Sequence, residues 1–205
     1  MKFIVDNLSC IRGGRRIFEG VSFQLNSGEG LQLKGPNGSG KTSLLRTLAG
    51  FIPKSEGDIR LEDAETEKEP GELCHYFGHL NGVKHGYTVE ENIRFYSDYL
   101  GEGLSDDEID SILAVFGLDE LWHIPAEILS AGQKRRLGLT RLLAAKRDIW
   151  ILDEPTVSLD VASQEALAQV VVSHVSAGGM VIAATHIPLG IEFTQTINLK
   201  PGGLA

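Results

Sequence analysis

The chain has 205 residues, 42% of them hydrophobic, and a formal net charge of −9. This length allows one compact domain with a substantial core, and the acidic balance disfavours a sequence-independent grip on nucleic acid or anionic lipid, both of which need basic surface. No apolar run approaches the roughly 20 residues that cross a bilayer, and residues 1–10 lack the apolar stretch of a secretory signal, so a cytoplasmic chain with no nucleic-acid partner is expected.

In chain order, the first third reads as short strands at residues 3–8, 16–25 and 30–34, with turn signals at Gly13-Gly14 and Ser27-Gly28. Cys10 and Cys74 show neither the number nor the spacing of a disulfide framework or zinc site and read as reduced structural thiols. A glycine-rich loop and a helix over 41–49 follow, then strands at 58–61 and 74–78 flanking a charged, solvated loop at 62–72. From residue 86 the period changes. Val89, Ile93 and Tyr96, then Ile109, Ile112, Leu113 and Phe116, recur at helical spacings, which predicts a helical subdomain over 86–146. The last third returns to buried strands at 148–152 and 180–185 around a helix over 161–175, and strand–helix–strand implies a parallel sheet.

Gly35-Pro36-Asn37-Gly38-Ser39-Gly40-Lys41-Thr42, continuing into Ser43, fits the G-x-x-x-x-G-K-[ST] phosphate loop, after an apolar strand and before a helical leucine run. Glycines at 35, 38 and 40 let backbone N–H groups curl round an anion at a helix N-terminus. Lys41 would reach the β- and γ-phosphates, and the Thr42 hydroxyl would ligate Mg²⁺. A ligand-free glycine turn is the bland alternative, and the full match between strand and helix opposes it.

Residues 149–152 form an apolar strand ending in Asp153 and Glu154, at the carboxyl end where open α/β sheets bind ligands. Asp153 can hold Mg²⁺ through its water shell, and Glu154 can polarise an attacking water. Solvated strand-end acids are the competing reading. Ser130 and Gln133 form an S-x-x-Q capping box opening a helix that runs towards Ala145. That capped end, with Gly132, also offers free N–H groups and a hydroxyl to a second molecule's γ-phosphate.

With these three motifs in this order, the chain resembles the ATP-binding cassette (ABC) superfamily. Residues 35–42 are similar to its phosphate loop, 129–133 to its signature, and Asp153-Glu154 to its metal and catalytic acids. Ser158-Leu159-Asp160 resembles the D-loop, and His186, after the strand at 181–185, the switch histidine. Asp160 also reads as a plain N-cap. The resemblance implies an α/β fold: a P-loop NTPase (RecA-like) core over 1–85 and 147–205, an N-terminal antiparallel β subdomain, and an α-helical signature subdomain over 86–146. It implies ATP and Mg²⁺, with Glu154, His186 and Lys41 catalytic.

Two positions depart from the superfamily pattern. A glutamine usually precedes the helical subdomain, and here stands Gly78-His79-Leu80-Asn81. At the position of the adenine-stacking aromatic lie Arg12, whose guanidinium can stack on a base, and nearby Phe18. Cys10-Ile11-Arg12, Gly78-His79, residues 82–84, 129–136, 178–182 and 185–189 are most similar to ATP-binding subunits of the haem exporter of bacterial cytochrome c maturation. Membership implies separate transmembrane permease subunits and a peripheral place on the cytoplasmic face of the inner membrane. It also implies a homodimer sandwiching two ATP molecules, each γ-phosphate between Lys41 of one chain and Ser130 and Gly132 of the other. The catalytic motifs alone do not exclude a soluble cassette ATPase acting as an assembly factor, as in iron–sulfur biogenesis, without transport.

Overall fold

The computed structural model describes residues 1–63, 69–101, 103–200 and 203–204. Strand β1 (Lys2–Arg12) buries Phe3 and Val5 on one face, then resumes at Leu8 beyond a bulge where Asn7 has φ 47°. It pairs antiparallel with β2 (Arg15–Asn26), whose Phe18, Val21, Phe23 and Leu25 complete the apolar face. β3 (Gly30–Lys34) leaves this sheet and leads into α1 (Lys41–Leu48), and β4 (Glu56–Glu62) returns to pair with β1, giving the order β2-β1-β4. The first strand thus continues four residues past the expected end at 8, through a hairpin at Gly13-Gly14. Positions 64–68 of the expected charged loop lie outside the described residues.

β5 (Cys74–Phe77) opens the second sheet. The helical stretch comprises α2 (Val89–Leu100), α3 (Asp106–Val115), α4 (Ala131–Leu139) and α5 (Arg141–Ala144). Capping boxes at Thr88/Glu91, Ser105/Glu108 and Ser130/Gln133 start α2, α3 and α4. The single helix expected from Ser130 towards Ala145 is instead broken at Thr140, whose hydroxyl donates back to the Leu137 carbonyl at 2.7 Å. β6 (Ile149–Asp153), α6 (Val161–Ser176) and β7 (Met180–Ala184) follow as expected. Two further strands, β8 (Gln195–Lys200) and the short β9 (Gly203–Leu204), were not foreseen.

The second sheet runs β5-β6-β7-β3-β8-β9, parallel except for β9. Its alternation divides the core in two. Leu31, Leu33, Ile149, Ile151, Met180, Ile182 and Ala184 pack with Leu44, Leu45 and Leu48 of α1 and with the antiparallel sheet. Trp150, Leu152, Val181, Ala183 and Phe77 pack with Leu167, Val170 and Val171 of α6 and with the helical subdomain. At about 25 cal/mol per Å² of apolar area, burial on both faces supplies the main driving force for this layered arrangement. Cys10 is buried, Cys74 is half-buried, and both are free thiols; burial pushes the Cys74 thiol up to about 12, so it is an inert structural group.

Candidate functional site

Register fixes where the chemistry gathers. Asp153 of β6 pairs with Ala184 of β7, and Ala184 pairs with Leu33 of β3, so the carboxyl ends of three adjacent parallel strands are level. From them emerge, side by side, Glu154, Thr185-His186 and the loop beginning at Gly35. The Gln32 amide donates to the Thr185 carbonyl at 3.2 Å, tying β3 to the β7 exit.

The loop has the backbone that its glycines allow, with φ 145° at Gly35, 80° at Gly38 and 99° at Gly40, the last standing as N-cap of α1. Pro36, Asn37 and Gly38 are exposed, whereas Lys41, Thr42 and Ser43 are half-buried in the first turn of the helix. Lys41 Nζ donates to the carbonyls of Gly35 (2.7 Å) and Pro36 (3.2 Å), which holds its ammonium over the loop. Ser39 Oγ is buried and has no hydrogen-bond partner among the described residues. A cradle closed by a lysine at a helix N-terminus suits a polyphosphate. A Cβ at Gly35 would lie 2.3 Å from the Leu199 carbonyl oxygen and 2.7 Å from Ser39 Oγ, so Gly35→Ala must displace the loop. We expect this variant to weaken ATP binding about tenfold or more, from strain of about 1–3 kcal/mol. Titration with a fluorescent ATP analogue checks it, and unchanged affinity would argue against the cradle.

Asp153 is buried at 2% exposure. Tyr76 donates its hydroxyl to Asp153 Oδ2 at 3.3 Å and accepts from Arg46 Nε at 3.2 Å, so a chain of polar contacts runs from α1 to the carboxylate. Burial is the main cause raising the Tyr76 phenol, so Tyr76 stays a neutral donor to Asp153. A buried strand-end carboxylate beside the phosphate-loop helix is a fitting donor, with the Thr42 hydroxyl, for a hard divalent cation. Sequence reasoning missed Tyr76 and Arg46; an isolated Tyr on a short strand carries no motif signal.

Glu154 takes φ 50°, a left-handed conformation uncommon for a residue with a Cβ. Its N–H donates to the Ala184 carbonyl at 2.8 Å. Its Oε1 lies 3.5 Å from His186 Nε2, and His186 is exposed, free to turn towards a ligand. The structure therefore brings Lys41's loop, Asp153, Glu154 and His186 to one edge.

A second group forms elsewhere on the same chain. Ser130 Oγ accepts from the Gln133 N–H at 3.2 Å and Gln133 Oε1 accepts from the Ser130 N–H at 2.8 Å, as the capping box requires. A Cβ at Gly132 would sit 3.6 Å from the Ser158 carbonyl, so the start of α4 lies against the turn preceding Asp160. Asp160 N-caps α6, its Oδ1 accepting from the Ser163 N–H at 2.8 Å, and the Ser163 contacts hold its carboxyl below the usual range. Both α4 and α6 pack on the sheet face opposite α1.

Phe18 is fully buried in the antiparallel-sheet core opposite Cys10, which removes it as an adenine platform. Arg12 is exposed at the β1–β2 hairpin. His79 and Leu80 are exposed, whereas Asn81 is half-buried and accepts from a guanidinium of α4.

The chain belongs to the ABC transporter family, whose pattern matches residues 18–157. Within it the chain groups with the cytochrome c biogenesis ATP-binding export proteins called CcmA, to which it is similar over its full length. It is 47% identical to that of Nitrobacter winogradskyi over 205 residues, covering 100% of both chains. To that of Chelativorans sp. it is 46% identical, covering 98% of this chain and 100% of the relative. A solved ATP-binding subunit of an ABC transporter superposes with a TM-score of 0.85 at 21% identity, covering 100% of this chain and 88% of that one. A bacterial Atm1-family ABC exporter with ATP bound gives 0.82 at 23% identity, covering 100% of this chain and 38% of the exporter. The fold is that of an ABC-type ATPase cassette.

Proposed function

We propose that the chain is the ATP-hydrolysing subunit of an exporter serving cytochrome c biogenesis, with haem the cargo that its sequence resemblance implies. The observation that carries this reading is full-length identity of 47% to a cytochrome c biogenesis ATP-binding export protein, combined with level strand ends presenting the phosphate loop, Asp153, Glu154 and His186 together.

In this reading residues 35–43 hold the triphosphate, with Lys41 neutralising its terminal oxygens. Thr42 and Asp153 would hold Mg²⁺, which when bound offsets charge on the phosphate oxygens. Glu154 orients an attacking water and takes its proton, and His186 steadies the γ-phosphate. The chain divides into a core over 1–85 and 147–205 and a signature subdomain over 86–146. Because α1 and α4 pack on opposite sheet faces, Ser130, Gly132 and Gln133 do not readily serve the same chain's Lys41. A homodimer sandwiching two ATP molecules supplies the missing half, with Asp160 linking the sites. ATP then favours the closed pair and ADP the open one, which works the membrane partner.

No helix among the described residues is long and apolar enough to cross a membrane; in this reading, which rests on likeness to the cytochrome c biogenesis export proteins, translocation belongs to separate transmembrane subunits. On α2, Phe95 stacks on Tyr99, which is 75% exposed, and Tyr96 donates its hydroxyl to the Gly82 carbonyl of the loop that carries the exposed Leu80, an apolar surface suited to a permease at the cytoplasmic side. Solubilising native membranes in detergent and isolating the tagged chain should bring down a polytopic subunit, and deleting the chain should abolish covalent haem on c-type cytochromes. Recovery of soluble partners alone, with cytochromes intact, would overturn this assignment in favour of an assembly ATPase.

A further inference from the structure

Arg135 stands in a basic run, Lys134-Arg135-Arg136, of the kind that normally faces water, yet it is only 4% exposed. Its Nη1 donates to the Gly78 carbonyl at 2.6 Å and to Asn81 Oδ1 at 3.0 Å, and its Nη2 donates to the Glu154 carbonyl at 2.8 Å. The guanidinium carbon lies 4.2 Å from the centroid of the Phe77 ring. Gly78 follows the end of β5 and Glu154 the end of β6, and these strands are neighbours, Phe77 pairing with Leu152. One side chain from the signature helix thus closes two strand ends and grips the loop between sheet and helical subdomain.

This is a costly use of a cation. Among the described residues Arg135 makes no carboxylate hydrogen bond and its Nε has no partner, and the neighbouring Arg141 guanidinium also lies over Phe77. Burial, then Arg141, pulls its pKa down to about 10, with Asp153 opposing, so it remains charged at neutral pH. An apolar residue would fill the space at lower cost. What it cannot do is present several N–H donors diverging in one plane, which the two strand ends require. Gly138 brings the same helix close to the loop, since a Cβ there would lie 2.7 Å from the Asn81 carbonyl oxygen.

Glu154 is held on both sides of its left-handed residue: the β7 carbonyl of Ala184 takes its N–H, and Arg135 takes its C=O. We propose that Arg135 is a positioning residue, fixing from the signature helix the direction in which the Glu154 carboxylate points and linking that direction to the 78–81 loop. The proposal rests on the reading of Glu154 as the residue that activates water. It means that a shift of α4 or of the loop reaches the reacting carboxylate through one guanidinium, so the helix presenting Ser130 also sets whether Glu154 is aimed.

The test is a double-mutant cycle on ATP hydrolysis by the full chain, with Arg135→Met, Glu154→Gln and their combination, and Arg135→Lys as the variant that keeps the charge. Arg135→Met should lower kcat about a hundredfold, the scale of a misplacement of about 1 Å, and leave KM for ATP within about twofold. Arg135→Lys should not restore kcat, because a single ammonium cannot span both strand ends. In the Glu154→Gln background Arg135→Met should produce no further loss. Equal additive losses in both backgrounds, a loss confined to KM, or full activity in Arg135→Lys would overturn the proposal while leaving Glu154 in its role. Wild-type hydrolysis in Glu154→Gln alone would instead remove the reading beneath it. If Arg135→Met fails to fold, Asn81→Ala and Arg135→Lys carry the same cycle.

Discussion

Glu154→Gln is expected to bind ATP with near-normal affinity, to lose hydrolysis by about 10²- to 10⁴-fold, the usual share of a positioned general base, and to accumulate as a closed dimer with ATP. The replacement is nearly isosteric, and the contacts that hold residue 154 are made by its backbone, the N–H to Ala184 and the C=O to Arg135, so its strained conformation should survive. What changes is the end of the side chain, where an amide cannot take a proton from water. The phosphate loop, from Gly35 to Ser43, is untouched, so binding and chemistry should separate: KM similar, kcat lost. Sizing chromatography with ATP and Mg²⁺ would show the trapped dimer, and turnover by phosphate release would show the loss. Hydrolysis at the wild-type rate would reject the role given to Glu154.

Much of this site was legible because its parts are local patterns. A strand, an eight-residue pattern with four fixed positions and a helix point to the phosphate cradle, since each glycine answers a backbone need and the lysine a charge need. The buried run Ile149-Trp150-Ile151-Leu152 likewise announced a central parallel strand, and its alternation proved to feed both cores. β8 escaped notice because Thr196 and Asn198 are exposed and Ile197 only half-buried, which leaves Leu199 as its one buried side chain and gives a weak period. The break at Thr140 depends on a hydroxyl choosing a carbonyl three residues back, an option that helical periodicity does not register.

The contacts that aim the site were not legible for a different reason. Arg135 lies 57 residues from Gly78 and 19 from Glu154, and Tyr76 lies 77 from Asp153, so each link exists only after the sheet and helical subdomain meet. In sequence, Arg135 looks like one of three solvated cations. Phe18 is the converse case: an aromatic at a plausible adenine position is claimed by the core, because its alternation with Val21, Phe23 and Leu25 across a bulge points it inward. Glu154, by contrast, was assigned from its place at the strand end, and the structure adds the reason its side chain turns towards His186.

Ser130→Arg is expected to abolish ATP-dependent dimerisation while leaving nucleotide binding to the monomer intact. Ser130 is exposed, caps α4 and belongs to the group of residues on the sheet face opposite the phosphate-loop helix. Replacing it removes the hydroxyl that accepts from the Gln133 N–H, a loss of about 1 kcal/mol in the cap, and sets a cation against the positive end of the helix. Those losses alone would weaken α4 without touching Lys41, so Ser130→Ala is the control that isolates them. Ser130→Asp gives the opposite contrast, retaining a good N-cap while placing a negative charge where a partner's γ-phosphate would sit. If the sandwich is right, the alanine variant dimerises weakly, and the arginine and aspartate variants not at all. Light scattering in the Glu154→Gln background measures this, and a fluorescent ATP analogue measures binding to the monomer. Full ATP-dependent dimers of the arginine and aspartate variants would mean that Ser130 faces no phosphate, and the two-sided site would have to be abandoned.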